Sequence, residues 1–268
     1  MRRELHVQQT QELLTLMEGV TYAHAPYWYG ITNQELKMDL LLPRNRKGLA
    51  PRPVLLWCCG GAFQVVSRAV WLPELQWYAR QGFICAAMDY RIAVDAPYPA
   101  ILEDVRAAVR FLRTQAEYFG IDASRIAVMG ESAGGYAACM AGVTGDPASL
   151  TQVQAVVDFY GKIDMHDSKD LPGVVAQFLG NAPESMNIDQ AMPYGYVNAN
   201  TPPFLIFHGS ADSLVPIAES DRLYETLNQH GVRADYYVLP GHGHGEDCFY
   251  QPQVKHIVLD FLREVLQL

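Results

Sequence analysis

The sequence is short of positive charge. Lys and Arg number 20 against 29 Asp and Glu, a formal net charge of −9. A basic face is the electrostatic footprint of a nucleic-acid binder, so this balance argues against nucleic acid as a partner. Long apolar runs are missing too. Nothing approaches the roughly 18 consecutive apolar residues of a membrane-spanning helix, so no membrane partner is expected. Residues Met1 to His6 begin basic but lead into Gln8-Gln9-Thr10-Gln11-Glu12. No apolar core of a secretory leader follows. The five cysteines include no Cys-x-x-Cys spacing, which leaves zinc and thiol-redox motifs without their usual signature. Cys58, Cys59, Cys85 and Cys139 lie in apolar segments and Cys248 in a polar loop. That distribution suits reduced thiols in a cytoplasmic protein. Internal repeats and low-complexity tracts are absent as well.

What is present reads as one large domain of alternating strands and helices. Half of the 268 residues are hydrophobic, enough for a sizeable core. Residues 8–18 suggest a short helix, and Val20 to Tyr22 and Leu36 to Leu42 suggest strands opening an antiparallel edge. Apolar runs at Pro53 to Cys59, Phe83 to Met88, Ile126 to Met129 and Phe204 to His208 read as buried strands, and Ala155 to Tyr160, which includes Asp158, as another strand. Asp235 to Leu239 closes the set. Helical spacing falls between them, over about 70–81, 99–117 and 217–230, and in the last residues at Val254, Ile257, Val258, Phe261, Leu262, Val265 and Leu266. The alternation implies a mostly parallel, doubly wound sheet flanked by helices, with ligands beyond the carboxyl ends of the strands. Residues 162–200 are less regular and read as a small lid over that end.

The chain is organised around Gly130-Glu131-Ser132-Ala133-Gly134-Gly135, between an apolar strand and a small-residue helix. Gly-x-Ser-x-Gly in that setting is the nucleophile-elbow pattern. A serine at the tip of so sharp a turn tolerates no bulk two residues either way, and Gly130 and Gly134 supply that. Where such an elbow occurs, the acid and then the histidine follow along the chain. Asp212 lies just past one buried strand, in His208-Gly209-Ser210-Ala211-Asp212, and His244 just past the last, in His242-Gly243-His244-Gly245. A serine hydroxyl needs a base to take its proton, and the base needs a carboxylate to hold its tautomer. Ser132, His244 and Asp212 are therefore the candidate triad. An oxyanion hole needs backbone N–H groups at the developing negative charge. Ala133 is one candidate donor, and Gly60 and Gly61, in the glycine-rich loop after an early strand, are the others.

With these segments in view the chain resembles the α/β-hydrolase esterases related to hormone-sensitive lipase, and among them the bacterial acetyl- and feruloyl-esterase-like group. The matching stretches are Cys59-Gly60-Gly61-Ala62-Phe63, Asp89-Tyr90-Arg91, Glu103-Asp104-Val105, the elbow, Thr201-Pro202-Pro203-Phe204-Leu205, His208 to Asp212, and Gly243-His244-Gly245. The resemblance implies an α/β-hydrolase fold and a serine carboxylesterase acting on a small-molecule ester, acetyl favoured, with sugar or plant-derived alcohols as candidates. It implies no cofactor and no metal, and its register makes His244 rather than His242 the base. One departure stands out. The family's oxyanion-loop histidine is Cys59 here, and a thiol is a feeble hydrogen-bonding group. Asp89, Tyr90, Arg91 and Asp104 read as structural polar residues. Trp57, Phe63, Trp71, Trp77 and the Tyr27-Trp28-Tyr29 cluster read mainly as packing. Two other functions suit the same residues: an amide hydrolase such as a formamidase or small peptidase, and a non-catalytic ligand receptor on this fold. The oligomeric state is open.

Overall fold

The computed structural model describes residues 1–8, 10–27, 30–46, 48–166, 172–180 and 188–268. Eight strands form one sheet in the order β1-β2-β4-β3-β5-β6-β7-β8. They are β1 (Leu14–Tyr27), β2 (Thr32–Pro43), β3 (Arg52–Cys58), β4 (Ile84–Met88), β5 (Ile121–Glu131), β6 (Ala155–Phe159), β7 (Phe204–Gly209) and β8 (Ala234–Leu239). The β1–β2 and β2–β4 pairs are antiparallel, and every other pair is parallel. The helices are α1 (Leu72–Arg80), α2 (Ala100–Thr114), α3 (Ala116–Phe119), α4 (Ala133–Thr144), α5 (Pro172–Phe178), α6 (Ala218–Gln229) and α7 (Pro252–Leu266).

Strand order reverses at β3. The chain steps from β3 to β4 in one direction and from β4 to β5 in the other. Right-handed crossovers then place α1 and α2 on opposite faces of the sheet. Helix α2 packs beside α4, while α1 is tied to α7 by the Lys255–Glu74 ion pair. Both faces of the central strands are therefore covered, which is why β3 from Pro53 and β4 read as unbroken apolar runs and β6 as one interrupted only by Asp158. All residues from Val54 to Cys58 and from Ile84 to Met88 are buried.

The opening of the chain departs from the expectation. Where residues 8–18 suggested a helix, β1 begins at Leu14 and pairs with β2 from Leu14↔Pro43 onward. Pairing along a neighbouring strand overrides a weak local pattern. A bulge at Gly19, φ +67°, disguises the strand: its N–H bonds to Asp39 Oδ1 at 2.7 Å and the register shifts there. Of the Tyr27-Trp28-Tyr29 cluster, Trp28 and Tyr29 lie outside the described residues, as do 167–171 and 181–187 of the expected lid. The described parts of that segment are α5 and two short 3-10 turns, Ile188–Ala191 and Pro193–Tyr196. Among the described residues no helix is long and apolar enough to cross a membrane.

Candidate active site

The elbow is built as its glycines require. Ser132 sits between β5 and α4 at φ 52°, ψ −118°, a strained conformation for a residue with a side chain. Its N–H bonds to Phe159 O at 2.9 Å, and its carbonyl accepts from Tyr136 N at 3.0 Å and Lys162 N at 3.2 Å. Those bonds hold the strained turn in place. A Cβ on Gly130 would lie 2.3 Å from Gly134 O, and one on Gly134 would lie 2.0 Å from Cys58 O. Neither position admits a side chain. The close approach of α4 to β3 that results brings the serine hydroxyl up beyond the sheet's carboxyl edge.

The loops after β7 and β8 complete the constellation. His244 Nε2 lies 3.0 Å from Ser132 Oγ, and His244 Nδ1 lies 2.7 Å from Asp212 Oδ2. His242 instead contacts Glu246 Oε2 through Nδ1 at 2.7 Å. The geometry thus separates the two histidines in favour of His244. The Asp212 side chain is fully buried. Its Oδ1 accepts the N–H groups of Leu214 and Val215, both at 2.8 Å. Burial opposes its charge, yet hydrogen bonds from His208, His244 and Val215 outweigh that penalty and hold the carboxyl well below the usual carboxylate range.

His208 took no role in the sequence reading beyond marking a motif. It is wholly buried at the end of β7, with Nε2 2.9 Å from Val215 O and 3.3 Å from Asp212 Oδ2. A ring nitrogen facing a carbonyl and a carboxylate must donate, so His208 braces the acid from the side opposite His244. Its other nitrogen meets Ser220 Oγ at 2.7 Å.

Glu131, the variable residue of the elbow, was likewise missed. Its Oε1 accepts from Gly60 N at 3.2 Å and Trp71 Nε1 at 2.6 Å. Its Oε2 lies 2.8 Å from Tyr160 Oη and 2.7 Å from Tyr250 Oη. The carboxylate therefore ties the elbow to the glycine loop, to the start of α1, to the end of β6 and to the approach to α7. A signal for it was available: an acidic residue at the end of a buried strand needs donors, and the unassigned aromatics with N–H and O–H groups were candidates.

The three expected oxyanion donors differ in their surroundings. The Gly60 N–H donates to Glu131 Oε1 at 3.2 Å. Among the described residues the N–H groups of Gly61 and Ala133 have no such acceptor. Gly61 has φ +141°, and a Cβ there would lie 2.2 Å from Val65 O. Only glycine allows that loop path.

Cys59 does not leave the loop unsupported. Its carbonyl accepts from Tyr90 Oη at 2.7 Å, and its Sγ accepts from Ser67 N at 3.3 Å. Burial pushes the thiol up to about 11, which disfavours a nucleophilic part for it. Arg91 grips Asp104 at 2.7 Å while Arg68 bridges Asp39 and Asp89. These groups brace the β4 end, as a structural reading requires.

A cavity of about 440 Å³ opens in front of Ser132, lined by Gly61, Phe63, Val65, Tyr160, Leu214 and His244 among others. Phe63 packs against Phe178 of α5 with ring centres 4.2 Å apart and planes tilted by 31°. Part of the expected lid segment thus supports one wall of the site.

With the geometry established, comparison with known proteins is informative. The BD-FAE family model matches residues 38–227. Esterase LipC of Mycobacterium tuberculosis is 36% identical over 237 residues, covering 80% of this chain and 59% of that protein. The probable carboxylic ester hydrolase LipM of the same organism is 30% identical, covering 91% and 62%. The chain thus spans about three fifths of the length of these curated relatives. Among solved structures, a truncated carbohydrate esterase from gut microbiota superposes with a TM-score of 0.78 at 25% identity, covering 97% of this chain and 99% of that one. The butyrate-bound esterase Est2 of Thermogutta terrifontis gives 0.73 at 25%, covering 91% and 94%. The chain has the α/β-hydrolase fold and belongs to the BD-FAE family.

Proposed function

We propose that the chain is a serine carboxylesterase that hydrolyses esters of short acyl groups through a covalent acyl-enzyme. The observation that carries this reading is the continuous array from Ser132 Oγ through His244 to Asp212, at 3.0 and 2.7 Å, with the serine on a strained turn. In the proposed mechanism His244 takes the hydroxyl proton as Ser132 attacks the ester carbonyl. The N–H groups of Gly61 and Ala133 receive the oxyanion, each worth about 3 kcal/mol in reactions of this type. Asp212 holds the imidazole in the tautomer that accepts at Nε2. His244 then protonates the leaving alcohol, and water repeats the sequence on the acyl-enzyme. None of these steps calls for a cofactor.

The largely apolar wall and the modest volume of the cavity support a short acyl chain, acetyl first. That the gut carbohydrate esterase shares the fold supports a sugar or other plant-derived alcohol as the leaving group. Five unpaired cysteines, four of them buried, support a cytoplasmic setting. The test is hydrolysis of p-nitrophenyl esters of increasing length beside matched p-nitroanilide amides. The proposal expects a maximum kcat/KM at two to four acyl carbons and much slower amide cleavage. A maximum at eight or more carbons would remove the short-acyl reading. Faster turnover of amides would replace the esterase with an amidase on the same triad.

A further inference from the structure

The loop from β8 to α7 carries a second constellation besides His244. A ring nitrogen of His242, a carboxylate oxygen of Glu246 and the thiol sulfur of Cys248 all lie within 4.8 Å of one another. His242 and Cys248 line a cavity of about 360 Å³ that also includes Pro240, Gln251 and Val254. Ser132 and His244 line the other cavity, so the loop forms a wall between the two. Cys248 is half-buried, whereas the other four cysteines are buried. The accessible thiol therefore stands beside an imidazole and a carboxylate.

One nitrogen, one oxygen and one sulfur form a borderline-soft donor set of the kind zinc takes. Bond lengths of about 2.0–2.3 Å in a tetrahedral site place ligand atoms roughly 3.3–3.8 Å apart. The three atoms need to close by only about 1 Å from the largest separation. The open fourth position would face the cavity, with room for water. Glu246 is already held, since its Oε1 accepts from Gly243 N at 2.8 Å. We propose that His242, Glu246 and Cys248 bind one thiophilic divalent cation of the zinc type, in an open three-ligand site behind the loop that bears His244.

Binding breaks the 2.7 Å contact between His242 Nδ1 and Glu246 Oε2. It forms a metal–sulfur bond and releases the thiol proton to solvent. The site shares no side chain with the triad, so it stands or falls independently of the esterase reading.

Cobalt(II) titration of the reduced, chelator-treated chain tests the proposal. A thiolate-to-cobalt charge-transfer band should grow, saturate at one equivalent and disappear on adding zinc. Cys248→Ser should lose the band while keeping ester hydrolysis and its far-ultraviolet dichroism. His242→Ala and Glu246→Gln should each weaken cobalt binding at least tenfold. No thiolate band at stoichiometric cobalt in the wild-type chain would overturn the site. So would a band that persists in Cys248→Ser, since another thiol would then be the ligand.

Discussion

Glu131 offers the sharpest physical prediction because its partners are of two kinds. The Gly60 and Trp71 N–H groups at Oε1 can only donate. The Tyr160 and Tyr250 hydroxyls at Oε2 can turn to accept. In Glu131→Gln the amide oxygen can face the two obligate donors and the NH2 the two hydroxyls, so every contact survives in neutral form. The expected loss is about 1 kcal/mol. Glu131→Ala leaves the two N–H groups and one of the two hydroxyls without an acceptor in a site that is only 8% exposed, since Tyr160 Oη and Tyr250 Oη, 2.9 Å apart, can still bond each other. Unsatisfied groups cost roughly 1–3 kcal/mol each, so the total is about 3–6 kcal/mol after relaxation and water entry. For a chain of this size each kcal/mol moves Tm by about 2–4 °C. Calorimetry should therefore find Gln within about 4 °C of wild type and Ala about 6–24 °C below it. Turnover should follow the same order, because the Gly60 bond positions the loop that carries Gly61. An Ala variant as stable and active as wild type would refute the claim that these bonds hold the loop. A Gln variant as damaged as Ala would show that charge, and not acceptor geometry, is what matters.

Two further outcomes follow from buried carboxyls. In Asp212→Asn the oxygen must stay on the Leu214 and Val215 N–H groups, which turns the NH2 toward His244 Nδ1. The imidazole is driven into the wrong tautomer, so kcat on p-nitrophenyl acetate should fall about 10³–10⁴-fold with KM little changed. A loss under tenfold would remove Asp212 from its role. Asp158, on β6 beneath the elbow, is pushed up to about 7 by burial, against the pull of His208 and the Gly161 N–H, and its Oδ2 has no partner among the described residues. A carboxyl raised in the folded state adds stability that is complete below about pH 4 and is lost as pH rises to about 7. Asp158→Asn should abolish that slope, worth roughly 2–4 kcal/mol, in urea unfolding measured from pH 4 to pH 8. Parallel slopes in the two proteins would contradict it.

The parts of the fold legible in the sequence are those where burial leaves a one-residue signature. Runs such as Val54 to Cys58 are apolar because helices cover both sides, and the Gly130 and Gly134 spacing is a steric demand with one solution. The three side chains that meet at 3.0 and 2.7 Å, Ser132, His244 and Asp212, were legible because they sit on loops at strand ends, in chain order. Of the first strand only Val20 to Tyr22 was, because Leu14 to Tyr27 carries a glycine bulge and half-exposed faces whose meaning depends on β2. Glu131 and Gly60 show the other limit. The Gly60 N–H is taken up by a carboxylate 71 positions away along the chain, a contact no local pattern encodes. His208 escaped for a similar reason: its partners Asp212, Val215 and Ser220 become neighbours only when the loop after β7 and the start of α6 fold back over it.

The central claim is that Ser132 is the nucleophile, and intact-mass spectrometry with a serine-directed organophosphorus probe tests it most directly. The account predicts one adduct per chain, mapped by peptide sequencing to Ser132 and lost in Ser132→Ala while the fold persists. Labelling at the wild-type level in Ser132→Ala, mapped to another residue, would contradict it.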